Sequence, residues 1–176
     1  REDNIALSKA AKEAITICKR SGYDCIILET AGVGQGDISI TDHCDVSIYV
    51  MTPEYGAASQ LEKINMLDYA DIIAVNKFDK PGAPDALADV KKQYKRNHLL
   101  FSAKDEDLPV LGVCASRFND PGINTLFDLL VQKIDEKLHL NRNYAHSSIA
   151  AEAKLPAVIP PARIRYLGEI NETIRQ

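Results

Sequence analysis

Residues 71–79, Asp71-Ile72-Ile73-Ala74-Val75-Asn76-Lys77-Phe78-Asp79, join a short apolar run to a polar cluster. The run at residues 72–75 is rich in β-branched side chains, which is typical of a buried strand in a parallel sheet. Asn76, Lys77 and Asp79 follow at the carboxyl end of that strand. Because open α/β sheets bind ligands at the carboxyl ends of their strands, this stretch predicts a ligand site as well as a fold class.

The polar cluster has the pattern Asn-Lys-x-Asp, with which GTPases read guanine. Guanine presents a ring N–H beside an exocyclic amine, and the carboxylate of Asp79 can accept from both, whereas adenine lacks this pair of donors. Asn76 has donor and acceptor groups, so it can bind N7 and hold neighbouring loops together. The stem of Lys77 can lie along the base while its ammonium stays in water. The motif therefore predicts a guanine nucleotide site.

Composition limits the class of protein. The 176 residues are 45% hydrophobic and 26% charged, as in globular domains with a real core. A net charge of −4 and the absence of Trp give no argument for nucleic acid binding. No apolar run approaches the roughly 20 residues that span a bilayer, and no signal peptide is visible. We expect no membrane association and a cytoplasmic location.

The four cysteines are scattered, without a Cys-x-x-Cys pair. They are Cys18, Cys25, Cys44 and Cys114. This spacing predicts small buried thiols in a reducing compartment and argues against a metal or redox site. The four histidines also lack ligand spacing.

Alternating patterns predict an α/β fold with a mainly parallel sheet and helices on both faces. Strands are predicted at residues 23–28, 45–51, 71–75 and 110–114. Helices are predicted at residues 5–20, 57–69, 85–96 and from 119–122 to 138. Residues 102–108 are predicted to form an exposed loop.

A second junction of a strand with a polar loop lies at residues 29–37, which contain three glycines. Glycine lets backbone N–H groups approach an anion, and an acid at a strand end can hold Mg²⁺ through water. Glu29 and Gly32 have the spacing of the GTPase motif Asp-x-x-Gly, with Glu replacing Asp. A plain glycine-rich turn is the alternative, but the pairing with residues 76–79 favours a phosphate and magnesium site.

The dipeptide Ala115-Ser116 follows the last predicted strand, where GTPases place a backbone N–H against guanine O6. The phosphate loop Gly-x-x-x-x-Gly-Lys-[Ser/Thr] is absent, since no Gly-Lys dipeptide occurs. We therefore expect a P-loop NTPase-like domain without its first strand and P-loop, belonging to a longer protein. Residues 1–145 would be the last two-thirds of that domain. Residues 146–176 would be a proline-containing linker and a helix leading to another domain.

Residues 29–35 and 70–77 resemble the G-protein chaperones of adenosylcobalamin-dependent acyl-CoA mutases, which belong to the SIMIBI class of GTPases. Residues 51–63, 115–122 and 160–167 are similar to one branch of that family. In this branch, the fused isobutyryl-CoA mutases, the chaperone lies between the B12-binding and substrate-binding domains. The resemblance covers nearly the whole chain.

The resemblance implies a GTPase that gates adenosylcobalamin loading and protects a mutase acting on isobutyryl-CoA and n-butyryl-CoA, or on methylmalonyl-CoA. It places Glu29 in the magnesium shell and Gly32 at the γ-phosphate. Residues 33–42, including Asp37, would form the second switch. Glu29 and Gln35 are the candidate catalytic residues, although Gln35 is not adjacent to Gly32 as the water-positioning glutamine of small GTPases is.

The remaining implied roles concern the base and the mutase. Residues 52–63, including Lys63, would form a third switch that relays the nucleotide state to the mutase. Asn76, Lys77 and Asp79 would bind the base, together with Ser116 or Ala115. The cofactors implied are GTP or GDP with Mg²⁺, and adenosylcobalamin in the parent protein but not on these residues.

The implied partners are B12-binding and substrate-binding mutase domains, in the same chain or as a separate subunit, in a homodimer. Without a P-loop, this piece alone should hydrolyse little GTP. Two alternatives stay open. One is a degenerate, non-catalytic G domain that serves as an interdomain interaction module. The other is a SIMIBI GTPase for nickel delivery or protein targeting, against which the lack of metal-ligand clusters and the presence of only two methionines argue.

Overall fold

A computed structural model describes residues 9–30, 39–55 and 58–140. The strands are β1 (Ile48–Met51), β2 (Ile72–Val75) and β3 (Val110–Gly112). The α-helices are α1 (Lys9–Arg20), α2 (Met66–Tyr69), α3 (Ala83–Asn97) and α4 (Pro121–Leu138). Short 3₁₀ turns lie at Ser39–His43, Ala58–Lys63 and Asp105–Asp107.

The three strands form one parallel sheet in the order β1-β2-β3. In its register, Ile73 lies opposite Tyr49 on one side and Val110 on the other. Parallel neighbours need crossover connections, and these are supplied by residues 58–69 and by α3. The predicted α/β class with a parallel sheet is confirmed.

The central strand β2 is buried on both faces. Its four residues, Ile72 to Val75, are at most 1% exposed. Ile73 and Val75 belong to a core cluster with Val90 and Tyr94 of α3. Because side chains alternate along a strand, Ile72 and Ala74 point to the opposite face, and α4 contacts β2 and β3. Helices therefore cover both faces, as the apolar run predicts.

A polar network surrounds Asp71 at the amino end of β2. Asp71 Oδ2 accepts hydrogen bonds from the backbone N–H of Ser47 at 2.8 Å and from its hydroxyl at 3.0 Å. Lys137 Nζ, near the end of α4, lies 2.7 Å from Asp71 Oδ1. These contacts join the start of β1, the start of β2 and the end of α4.

The helix boundaries have local causes. Gly82 takes the left-handed conformation (φ +80°) before α3, and a proline occupies the first turn, so the helix begins two residues before the predicted 85. Asp120 is the N-cap of α4 and accepts from the N–H of Ile123 at 3.1 Å.

The helix predicted at residues 57–69 is wrong in type. The structure has a 3₁₀ turn at Ala58–Lys63 and the short helix α2. The apolar residues Leu61, Ile64 and Leu67 are spaced by three, and each is at most 7% exposed. The N–H groups of Ile64 and Leu67 donate to the carbonyl three residues earlier, at 3.1 and 3.0 Å. A spacing of three fits 3₁₀ geometry, in which residues i and i+3 are aligned.

The strand predicted at residues 23–28 is also wrong, because residues 25–30 have no regular secondary structure. Tyr23 is 66% exposed and Ile27 is 91% exposed. An apolar run predicts burial, but a strand forms only against a neighbour that supplies hydrogen bonds. In the described part of the chain, the sheet ends at β1, whose Val50 is itself 58% exposed.

Two further expectations need correction. Cys114 is buried as predicted, whereas Cys18 and Cys44 are only partly buried and Cys25 is exposed. The loop predicted to be exposed at residues 102–108 contains a 3₁₀ turn, and Leu108 is buried in the core.

Within the described ranges, no helix has the length and apolar character needed to cross a membrane. The predicted linker and helix at 146–176 lie outside the described residues.

Candidate nucleotide-binding site

The site lies at the carboxyl ends of β2 and β3, where Asn76 connects the two strands. The backbone N–H of Asn76 donates to Met51 O at 2.8 Å. Its side-chain Oδ1 accepts from the N–H of Lys77 at 2.8 Å and from the N–H of Ala115 at 3.1 Å. With the oxygen occupied by two backbone donors, the amide NH₂ of Asn76 is left to donate to an acceptor such as guanine N7.

The turn after Asn76 is tight. Lys77 has a positive φ of 58°, which is uncommon for a residue other than glycine. The N–H of Lys80 donates to Lys77 O at 3.0 Å and closes this turn. Such conformations are found where the surroundings hold the backbone in place, often at functional sites. The side chain of Lys77 is exposed.

The carboxylate of Asp79 is exposed at the rim of the site. Its Oδ1 accepts a hydrogen bond from Cys114 Sγ at 3.3 Å. This bond, followed by the N–H of Asp79 itself and the charges of Arg117 and Lys80, holds the pKa of Asp79 below its usual value. Asp79 forms no salt bridge with any residue that the structure describes. The group is therefore an ionised acceptor with capacity left for a ligand.

The turn at residues 76–80 forms one wall of the site, and the loop between β3 and α4 forms the other. The N–H of Cys114 donates to Asp120 Oδ2 at 3.1 Å, so the N-cap of α4 also fixes the end of β3. The N–H of Arg117 donates to Cys114 O at 3.0 Å. The N–H of Ala115 is used by Asn76, whereas the N–H of Ser116 donates to no described residue.

Close packing brings the two walls together. A Cβ on Gly112 would lie 2.4 Å from the ring of Phe78, so only glycine lets that ring rest on β3. A Cβ on Gly122 would lie 2.2 Å from Gly112 O, so α4 starts against the same strand. Sequence reasoning missed Cys114, Phe78 and Asp120. Only Asp120, placed before Pro121 as an N-cap, carried a signal that could have revealed it.

The other predicted site residues are not joined to this cluster. Glu29 is exposed in an irregular segment, and no hydrogen bond or ion pair links it to residues 76–79 within the described ranges. Gly32, Gln35 and Asp37 lie outside the described residues. Lys63 ends a 3₁₀ turn and is exposed.

The segment after β1 is linked to the loop that carries Asp79. Glu54 and Lys80 form an ion pair, and Lys80 directly follows Asp79. Tyr55 Oη donates to Ala86 O in α3 at 3.4 Å. Arg96 in the last turn of α3 lies 2.8 Å from Glu62. Tyr55 and Glu62 are thus attached to α3, and Glu54 is attached to the loop that carries Asp79.

Known proteins match this chain over most of its length. The family described as methylmalonyl-CoA mutase-associated GTPase MeaB matches residues 4–152. The fused isobutyryl-CoA mutase of Geobacillus kaustophilus is 49% identical over 99% of this chain and 16% of that protein. The fused isobutyryl-CoA mutase of Nocardia farcinica is 47% identical over 92% of this chain and 15% of its own length.

More distant relatives share part of the chain. The mitochondrial methylmalonic aciduria type A homolog of Caenorhabditis elegans is 34% identical over 42% of this chain and 18% of that protein. The chain thus spans less than a fifth of each of these relatives. Because the family match extends over residues 4–152, the chain belongs to the MeaB family of methylmalonyl-CoA mutase-associated GTPases.

Proposed function

We propose that this chain is the guanine-reading part of a GTPase that acts as the chaperone domain of a fused, cobalamin-dependent acyl-CoA mutase. The observation that carries the proposal is that Asn76 and Asp79 both follow the carboxyl end of β2. The carboxylate is ionised and open to solvent, and the neighbouring amide is fixed by two backbone donors. Membership in the MeaB family supports the same function.

The base would be bound by four groups. Asp79 would accept from the ring N–H and the exocyclic amine of guanine, and the Asn76 amide would donate to N7. The stem of Lys77 would lie along the base. Of the two residues considered for O6, Ser116 is favoured, because the N–H of Ala115 already donates to Asn76 at 3.1 Å.

The phosphates and Mg²⁺ would be held by other parts of the protein together with Glu29 and Gly32. Mg²⁺ usually keeps several waters and takes one or two carboxylates plus phosphate oxygens. An exposed carboxylate such as Glu29 fits this donor set, and when bound the ion would neutralise charge on the phosphates. Gln35 stays a candidate for positioning water. Because the sequence has no Gly-Lys dipeptide, hydrolysis is proposed only for the full-length protein.

Residues 52–63, with Asp37 and Lys63 as candidate switch residues, would relay the nucleotide state to the mutase domains. The ion pair of Glu54 with Lys80 and that of Glu62 with Arg96 support this relay, since they join the segment to the base loop and to α3. The response of the mutase would be the gating of adenosylcobalamin loading. The proposed partners are the B12-binding and substrate-binding mutase domains, in the same chain or as a separate subunit. The assembly would be a cytoplasmic homodimer acting on isobutyryl-CoA and n-butyryl-CoA, or on methylmalonyl-CoA.

The test compares GDP and ADP binding to the full-length protein by isothermal titration calorimetry. Wild type should bind GDP and reject ADP. Asp79→Asn should weaken GDP binding by about a hundredfold without creating ADP binding, because two hydrogen bonds to a charged acceptor are disturbed. Asp107→Asn, which changes an exposed aspartate in a turn away from the site, is the matched control.

Equal binding of GDP and ADP by the wild-type protein would contradict guanine recognition. A complete lack of nucleotide binding would instead support a non-catalytic interdomain module. Either result would remove the basis for a GTPase chaperone role of this chain.

A further inference from the structure

Three consecutive apolar side chains are exposed directly after α3. Leu99 is 75% exposed, Leu100 40% and Phe101 72%, and together they form an apolar turn at residues 99–101. Because β2 and β3 are parallel, α3 runs from the carboxyl end of β2 back to the amino end of β3. The apolar turn therefore lies at the edge of the sheet opposite the candidate nucleotide site.

The backbone of the apolar turn has a conformation that does not suit its sequence. Leu99 has a φ of +55°, in the left-handed region that favours glycine. The N–H of Leu99 donates to Arg96 O at 3.4 Å, and the N–H of Leu100 donates to Lys95 O at 2.9 Å. These two bonds form a Schellman motif, in which glycine usually occupies the position of Leu99. Packing within the described residues does not explain a leucine there, because its side chain lies in solvent.

The segments on both sides hold the apolar turn in place. After the turn, Lys91 Nζ donates to Asp105 O at 2.9 Å, and Lys95 forms an ion pair with the Asp105 carboxylate. Before the turn, Nε2 of His98 lies 3.1 Å from Leu67 O in α2. The apolar side chains are thus presented from a fixed backbone, which lowers the entropy that a partner must offset on binding.

The surroundings of the apolar turn are basic. Residues 91–107 contain five lysines or arginines and three acidic residues, a net charge of +2 in a chain whose net charge is −4. A second copy docked by the same turn would place like charges opposite each other. Residues 141–176 also contain five basic and three acidic residues, so they match this surface poorly. The surface that fits is apolar at its centre and acidic at its rim.

We propose that the apolar turn is a docking surface for another domain of the same longer protein, which meets it with an apolar patch rimmed by acidic side chains. Contiguous exposed apolar side chains of this kind are typical of protein–protein contacts. This chain matches 16% of the length of the fused isobutyryl-CoA mutase of Geobacillus kaustophilus, so a protein of that length has ample surface outside residues 1–176. The inference rests on one part of the proposed function, that the chain is a domain of a fused protein.

The docking surface is also joined to the candidate relay segment at residues 52–63. Arg96 lies three residues before Leu99 and pairs with Glu62 at 2.8 Å. A domain that docks on the turn is therefore next to the helix end that holds Glu62.

Hydrogen exchange of the full-length protein, measured over all its peptides, tests the docking. Leu99→Gly removes an exposed side chain and suits the left-handed backbone, so α3 should keep or gain protection. Phe101→Ser removes the other largely exposed side chain. Each variant should accelerate exchange about tenfold in one acid-rimmed surface region outside residues 1–176. GDP affinity should stay within about twofold of wild type, because the turn lies at the opposite edge of the sheet.

The matched control is His139→Gly. His139 follows α4 with a similar φ of +51°, so the backbone effect of glycine is the same at a different helix end. It should leave exchange outside residues 1–176 unchanged. The glycine variant at Leu99 also separates docking from folding, since a leucine that served the fold alone would change protection only within residues 83–110.

Three results would overturn the docking surface. The first is unchanged exchange outside residues 1–176 in both Leu99→Gly and Phe101→Ser. The second is acceleration confined to residues 141–176, which would show that the end of this chain covers the turn. The third is a loss of self-association in sedimentation velocity without acceleration in another domain, which would identify a second copy as the partner.

Failure of guanine recognition gives a different result. If the wild-type protein binds no GDP while Leu99→Gly and Phe101→Ser still accelerate exchange in another domain, the guanine site is wrong and the docking surface stands. If the wild type binds GDP and neither variant changes another domain, the guanine site stands alone.

Discussion

The two ends of β2 carry an aspartate each, and their surroundings differ sharply. Asp71 at the amino end accepts hydrogen bonds from the backbone and hydroxyl of Ser47 and from Lys137. Among the residues that the structure describes, one other side chain donates to Asp79 beyond the carboxyl end, the thiol of Cys114. Residue type and strand are the same, so the number of protein partners is what distinguishes a carboxylate that holds the fold from one that is open to a ligand.

The electrostatics of the two groups support this distinction. Burial acts to raise the pKa of Asp71, but hydrogen bonds from Lys137 and Ser47 outweigh it and lower the pKa. The pKa of Asp79 is lowered chiefly by the thiol of Cys114, in an exposed position. Both groups are ionised at neutral pH, and within the described ranges only Asp71 has a direct ion pair, which it forms with Lys137.

The largest expected effect on local stability is that of Asp71→Asn. This change removes the charge that Lys137 and two Ser47 donors require, and the cost should be about 2 kcal/mol. Hydrogen exchange of the amides at residues 45–75 should accelerate about thirtyfold in the full-length protein. GDP affinity should stay within about twofold of wild type, because Asp71 lies at the far end of the strand.

The matched variant for this comparison is Asp79→Asn, which should change exchange at residues 45–75 little while it weakens GDP binding. Equal effects of both variants on exchange and on binding would contradict the separate roles of the two ends of β2. Such a result would show that the network of Asp71 and the base site form one cooperative unit.

The sequence predicts the central strand β2 well and the segment at residues 23–28 poorly. Residues 72–75 were recognisable because an apolar run buried on both faces needs no information about its neighbours. Residues 23–28 have a similar apolar run, yet they form no strand, because pairing depends on a neighbour that no local pattern contains. The role of a run therefore depends on what lies beside it.

The site shows the same division. Asn76, Lys77 and Asp79 form a contiguous motif, so their proximity follows from the chain itself. Cys114 and Asp120 reach the site only through the register of β3 with β2 and the start of α4. In the segment 57–69, Leu61, Ile64 and Leu67 recur every three residues. This spacing also fits one face of an α-helix, so the sequence predicts an α-helix where the structure has a 3₁₀ turn and a short helix.

A smaller effect is expected for Lys137→Met, which removes the cation and leaves Ser47 on Asp71. The lysine side chain is 44% exposed, so its charge is screened by water and the pair should contribute about 0.5–1 kcal/mol. Exchange at residues 45–75 should accelerate about threefold. Lys104→Met, which breaks a 3.6 Å pair of two well-exposed side chains, should have no measurable effect there.

If Lys137→Met accelerated hydrogen exchange at residues 45–75 as much as Asp71→Asn does, that result would contradict the larger contribution of the Ser47 hydrogen bonds. It would assign the stability of this end of the sheet to the ion pair. The comparison thus separates hydrogen bonding from charge within one network.

The smallest effect is expected from lowering the pH from 7 to 5. The folded pKa of Asp71 is below its ordinary value, and in the unfolded chain the pKa of this group is about 3.9. A depressed folded pKa contributes stability that is fully present above the unfolded pKa and is lost as the pH falls through the folded one. The difference in hydrogen exchange between wild type and Asp71→Asn, corrected for intrinsic rates, should therefore be constant from pH 7 to 5 and shrink only below about pH 4. If the difference already shrinks between pH 7 and 5, Asp71 takes up a proton there. The ion pair with Lys137 and the bonds from Ser47 would then not outweigh its burial, and the two ends of β2 would differ in protonation as well as in partners.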